Sequence, residues 1–284
     1  MLPFWISIGL LSLAQGAIVS LGRVPATPWL VRLRDRRWAL VPPLSILGFV
    51  LVAALAERAS AEGLTYLALC AVPVLAALAL GWLTRGAHPA RALLAPALFA
   101  LAWADRGALP GEAAALALSA LSCVALGVLL AAVTPPRWLA GGIVAMAVAD
   151  AGLVLADLLQ RPNDALNAAH PAAGLPRLQS ATLGSAVMGY GDLFIAGALG
   201  ALLALALGRR EQSRAALIAA TLAVCFDLLF FLLDELPATV PVALTLIVVL
   251  VRRRRSASSQ PPAPGLAAFA ALPQAPAHRR PTAP

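Results

Sequence analysis

"AVMGYGDLFI", residues 186–195, is the stretch on which the fold turns. Two glycines and a tyrosine precede Asp192, and "LFIAGALGALLALALG" follows it to residue 208 without a single polar side chain. A continuous helix through the whole stretch would carry an acid into an apolar element. The helical reading accounts for the glycines: Gly189 and Gly191 remove side chains beside the acid, so that another group can approach it. Gly184, Gly197 and Gly200 then become small positions for close helix packing.

Composition sets the solvent. Of 284 residues, 61% are hydrophobic and 12% charged, with a mean hydropathy of +0.87. So much apolar surface points to a polytopic membrane protein in contact with a lipid bilayer. The net charge of +8 comes from arginines alone, since the chain has no lysine. Arg252 to Arg255 form one block and most others sit in short loops, the pattern of topology signals rather than of nucleic-acid binding. Cys70, Cys123 and Cys225 lie in apolar runs without metal spacing and read as small hydrophobes. His88, His170 and His278 are scattered, and no metal or organic cofactor is implied. Alanine-rich composition with arginine in place of lysine points to a GC-rich genome and a bacterial cytoplasmic (inner) membrane.

Apolar runs between polar punctuation predict nine spans, over residues 3–22, 39–56, 64–84, 89–104, 113–133, 138–159, 180–208, 214–233 and 238–251. The expected fold is therefore all-α, a polytopic transmembrane helix bundle. The odd-numbered loops and the segment after the ninth span hold 15 arginines against 4 in the even-numbered loops. The positive-inside rule then places the N-terminus outside and the C-terminus in the cytoplasm. All six tryptophans fall near span ends, as an aromatic belt requires. The expected organisation is an N-terminal bundle over 1–137, a catalytic membrane region over 138–255 and a disordered Pro/Ala/Ser-rich tail over 256–284.

Three acids are hard to place outside hydrocarbon: Asp150, Asp192 and Asp227. A carboxylate near the midplane costs about 2.5–3.5 kcal/mol, so such a residue faces the bundle interior or a wet cavity. Asp150 lies 13 residues after Arg137 and 11 before Arg161, and Asp192 lies 15 after Arg177 and 17 before Arg209. Both fall near the middle of consecutive antiparallel spans and can share one height. Asp157 is a reserve candidate nearer the outer interface, two turns along from Asp150, and Asp234 also sits near a span end. Two facing carboxyls in low dielectric share one proton, which supplies an acid and a base together.

Val187-Met188-Gly189-Tyr190-Gly191 is similar to the Thr-Val-Gly-Tyr-Gly filter of potassium channels, but the threonine is absent and no loop follows. The arrangement of motifs resembles instead the Gly-x-Gly-Asp intramembrane aspartyl proteases, the presenilin and signal peptide peptidase family, as a divergent bacterial member. The sixth span carries "AVAD" with Asp150, the seventh "GYGD" with Asp192, and the ninth opens with "LPATVPVAL", where the family has Pro-Ala-Leu. Ala149 stands where the family has tyrosine, and Pro237-Ala238-Thr239 departs from Pro-Ala-Leu; Pro241 begins a second possible alignment. The resemblance covers mainly residues 138–251. It implies Asp150 and Asp192 as the catalytic pair. Gly189, Tyr190, Gly191, Pro237, Ala238, Thr239 and Pro241 would support substrate. The substrate would be a membrane protein or signal peptide, cut within its transmembrane segment.

Two other readings remain open. "DLLQRPNDAL" resembles the first-aspartate segment of prepilin peptidases, which would pair Asp157 with Asp192. A proton-coupled carrier or a silent membrane scaffold could use the same buried acids, Asp227 included.

Overall fold

The computed structural model describes residues 2–25, 28–233 and 235–258. The described residues form ten α-helices and one short hairpin: α1 (Phe4–Leu21), α2 (Pro28–Arg32), α3 (Val41–Leu78), α4 (Leu94–Ala104), α5 (Leu109–Val133), α6 (Pro136–Leu155), α7 (Gln160–Ala168), β1 (Ser180–Leu183), β2 (Ala186–Gly189), α8 (Tyr190–Ala206), α9 (Arg209–Asp227) and α10 (Thr239–Ser258). Among the described residues, five helical segments are long and apolar enough to cross a membrane: Phe4–Leu21, Arg36–Leu83, Leu109–Val133, Pro136–Leu155 and Arg209–Phe231. Pro89–Ala104 and Tyr190–Ala206 are apolar but shorter. All six tryptophans are exposed, together with many leucines and valines, as expected of surfaces that face lipid.

Several boundaries differ from those expected. Residues 57–63, expected as a loop, are helical, and α3 runs on through 38 residues. That would be about 57 Å of straight helix, well beyond a hydrocarbon core of about 30 Å. Ala56 breaks it, with φ −153° and ψ 62°, at the last residue of the expected second span. The segment expected to cross at 89–104 begins as a 3-10 turn over Pro89–Leu93. The sixth helix stops at Leu155, and Asp157 beyond it adopts a positive φ of 55°. Asp157 therefore does not share a helical face with Asp150. Ser256 to Ser258, expected in the tail, extend α10; residues 259–284 and Asp234 lie outside the described residues. Cys123 is buried as expected, whereas Cys70 and Cys225 are exposed.

The opening stretch holds the main correction. Residues 180–189 are not helical. They form an antiparallel hairpin in register Ser180–Gly189, Ala181–Met188, Thr182–Val187 and Leu183–Ala186. Gly184 serves the turn rather than helix packing, at φ +60°, which a side chain would strain. The strand pairing satisfies main-chain groups that a helix would otherwise have to satisfy, and the Glu112 carboxylate accepts the Gly184 N–H at 2.7 Å. Gly189 ends β2 in extended backbone, and α8 starts at Tyr190.

From there α8 is the central element. Every residue from Leu193 to Leu203 is buried, the mark of a helix surrounded on all sides. It packs most extensively on α5 and also on α1, α6 and α9. Small residues set these distances. A Cβ added at Gly197 would lie 2.3 Å from the Cys123 carbonyl oxygen of α5, and one at Gly200 would lie 2.3 Å from that of Val19 in α1. On α1, Gly16 admits Ala220 of α9, which an added Cβ would meet at 2.6 Å. The expected packing role of Gly197 and Gly200 therefore matches the contacts found. Among the described residues, those up to Ile247 form one compact unit, and Val248–Ser258 belong to a second.

Candidate functional site

The glycine–aspartate motif is a junction between a strand and a helix. Asp192 stands in the first turn of α8, three residues past the last residue of β2. Its carboxyl folds back over Gly189, where an added Cβ would lie 2.9 Å from Oδ2. Gly191 faces α6: an added Cβ would meet Met146 Cε at 3.3 Å. Met146 is one helical turn before Asp150. The two glycines thus bring the start of α8 against the stretch of α6 that carries the other acid. Tyr190 points elsewhere, with its hydroxyl 2.7 Å from Ser122 Oγ of α5, and so anchors the junction.

Asp150 is 5% exposed and Asp192 partly buried. The charge of Asp150 acts directly on Asp192, so the two carboxyls are electrostatic neighbours. Both border one cavity of about 1080 Å³. Its wall combines apolar side chains of α3 and α5 with the strand β2 and the start of α10. A cleft of this size with a few converging polar groups is the usual form of a small-molecule or peptide site.

The third expected motif meets the first. Thr239 Oγ1 donates a hydrogen bond of 2.5 Å to Asp150 Oδ2, and its main-chain N–H also faces that carboxyl. Asp150 therefore lies at the N-terminus of α10, where free N–H groups and the helix dipole favour negative charge. Ala238 and Pro241 border the cavity. Pro237 is not among its lining residues and instead accepts the Val240 N–H as the helix begins. Irregular main chain precedes α10, as the prolines predict.

One residue that sequence reasoning passed over ties these pieces together. Gln15 of α1, 1% exposed, donates to the Asp192 carbonyl at 3.2 Å and to the Ala238 carbonyl at 2.9 Å. A single amide thus clamps the first turn of α8 to the residue before α10. A glutamine inside an apolar span is the signal that could have found it, since a buried amide needs partners. Ser12, one turn earlier on α1, donates to Asp227 Oδ2 at 2.8 Å, which accounts for the third buried acid by a bond inside the bundle.

Asp157 is exposed and does not border the cavity. Its charge acts on Glu235, together with that of Asp164. Glu235 lies in the segment before α10, and burial and these acids hold its carboxyl above the ordinary glutamate value, partly offset by a hydrogen bond from Asn163. Among the described residues, no group of three or more His, Cys, Asp or Glu side chains is placed to hold a metal ion. No protein-family model, curated protein or solved structure matches the chain.

Proposed function

We propose that this chain is an intramembrane aspartyl protease that hydrolyses peptide bonds within transmembrane segments, with Asp150 and Asp192 as its catalytic pair. The observation that carries the reading is the meeting of three sequence-distant motifs: Asp150 of α6 and Asp192 of α8 border one cavity with Ala238 and Pro241, and Thr239 of α10 donates to Asp150. One proton shared by the pair supplies both roles. The ionised carboxyl takes a proton from water as the water oxygen attacks the peptide carbonyl carbon. The protonated carboxyl gives its proton to the carbonyl oxygen. In the tetrahedral diol so formed the C–N bond then breaks. The amine takes the proton first drawn from water, and a diol hydroxyl returns its proton to the second carboxyl. Thr239, donating to Asp150, suits Asp150 to the ionised role.

A helical substrate hides its carbonyls in its own hydrogen bonds and must unwind to react. Among the described residues strand β2 is paired on one edge only, by β1, and leads into the first turn of α8, which carries Asp192. Its other edge offers main-chain partners to an extended peptide. The substrate in this reading is a membrane protein or signal peptide. The helices cross nine times, with the N-terminus outside and the C-terminus in the cytoplasm of a bacterial inner membrane. Supporting this topology, α1, the two parts of α3, α4, α5, α6, α8, α9 and α10 each fall on an expected span, and the arginines divide 15 to 4 between the two sets of loops.

The test is cleavage of a reporter transmembrane segment. Asp150→Ala and Asp192→Ala should each abolish it while the protein still inserts; full activity in both removes the proposal. A second reading, a carrier that relays protons, draws on Asp227, which borders the same cavity. It predicts that transport, and not cleavage, is lost in those variants.

A further inference from the structure

A second cavity, about 610 Å³, opens beside the α4–α5 turn and the segment leading to β1, and Asp150 and Asp192 do not line it. Arg106, Glu112, His170, Arg177 and Thr182 border it. Arg106 and Arg177 are two of the four arginines in the loops where arginine is otherwise scarce. Their hydrogen bonds go to main-chain carbonyls alone: Arg106 donates to Gly174 and Arg177 to Asn167. Among the described residues neither forms an ion pair, so two positive charges stand at one cavity without an acid from those residues bound to them. Burial pulls Arg177 below the ordinary arginine value. The Arg177 Nε and the Thr182 hydroxyl are both buried without a hydrogen-bond partner. Glu112, the one acid in the wall, is turned to the Gly184 N–H. Gly174 leaves room for Arg106: at its φ of +63° an added Cβ would lie 2.8 Å from the guanidinium carbon.

Two unneutralised guanidinium groups, an idle Nε donor and an idle hydroxyl are the donor set for a tetrahedral oxyanion. We infer that this cavity is a phosphate-binding site, built from Arg106, Arg177 and Thr182. The phosphate is that of a phospholipid headgroup or free phosphate. Leu101 and Trp103, both exposed on the adjoining end of α4, offer apolar surface to an attached acyl chain.

The test uses the full chain in neutral detergent, with inorganic phosphate in one arm and phosphatidylglycerol mixed micelles in the other, each against phosphatidylcholine micelles. Thermal unfolding reads binding as a rise in midpoint. Wild type should be stabilised by phosphatidylglycerol, and Arg106→Gln with Arg177→Gln should remove that response. Thr182→Val removes only a hydroxyl that has no partner, so the fold should persist while affinity falls roughly ten- to a hundredfold, as for one hydrogen bond to a charged group. Stabilisation by both ligands assigns the site to phosphate itself, and stabilisation by phosphatidylglycerol alone assigns it to a lipid headgroup. No response to either, or an unchanged response in the variants, overturns the inference.

Discussion

Thr239 Oγ1 lies 2.5 Å from Asp150 Oδ2, a hydrogen bond that joins residues 89 positions apart and binds the first residue of α10 to the buried acid of α6. It makes the third motif part of the candidate active site rather than a neighbouring loop. A hydroxyl at residue 239 does here what neither leucine nor alanine could do: it orients the carboxyl and supports its charge.

Thr239→Val should therefore lower cleavage of a reporter segment without preventing insertion. Loss of a hydrogen bond to a charged group costs about 1.5–3 kcal/mol, roughly ten- to a hundredfold in rate if it is made in the transition state. Thr239→Ser should retain most activity. Equal activity in the valine and serine variants would show that the hydroxyl has no part in the reaction.

Gln15→Leu keeps the volume of the side chain and removes its two donors. The carbonyls of Asp192 and Ala238 then lose their bonds to α1. Each buried group left unpaired costs about 1–3 kcal/mol, so the thermal midpoint in detergent should fall clearly. Ser20→Ala, which removes only a bond to the carbonyl of Ala17 in the same helix, serves as the control and should change little.

Gly197→Leu should be among the most damaging single changes in the bundle. Its Cβ alone would press on the Cys123 carbonyl, so α5 and α8 must separate. Overpacking of this kind costs about 1–3 kcal/mol or more. Size-exclusion chromatography should show loss of the monodisperse species. Gly141→Leu, at a position with nothing within 4 Å, should leave the profile intact.

Glu235 links stability to pH. Its carboxyl is held above its ordinary value of 4.5, so the folded protein keeps a proton that the unfolded chain releases. The contribution is fully present below the ordinary value and is lost as pH rises through the folded value. Glu235→Gln should flatten the decline in thermal midpoint over this window, measured from about pH 4 to pH 8. An identical slope in the variant would show that Asp157 and Asp164 do not act through Glu235.

Much of the helical layout was legible because hydrocarbon imposes a simple rule: apolar runs must be long, and charges must gather between them. Ala56 breaks α3 one residue before the expected loop, and α5 and α9 lie within six residues of their expected bounds. The hairpin was not legible. Residues 180–189 carry no charge and run without a break into an apolar helix, and hydropathy does not distinguish a buried strand from a buried helix. Only the pairing of Ser180–Leu183 with Ala186–Gly189, closed by the positive φ of Gly184, makes the extended state satisfy its main chain.

By itself the sequence determined that this chain is a bundle of apolar helices and that Asp150, Asp192 and Asp227 lie within its apolar segments, because charge and hydropathy are properties of residues taken one at a time. Which of those acids keep company was decided by tertiary structure. Asp227 is bonded to Ser12, Asp157 is exposed outside the cavity, and Asp150, held by Thr239, borders the same cavity as Asp192. Those choices depend on helix rotation and on glycine contacts of a few ångströms, which bring together residues far apart in the chain and have no counterpart in local composition.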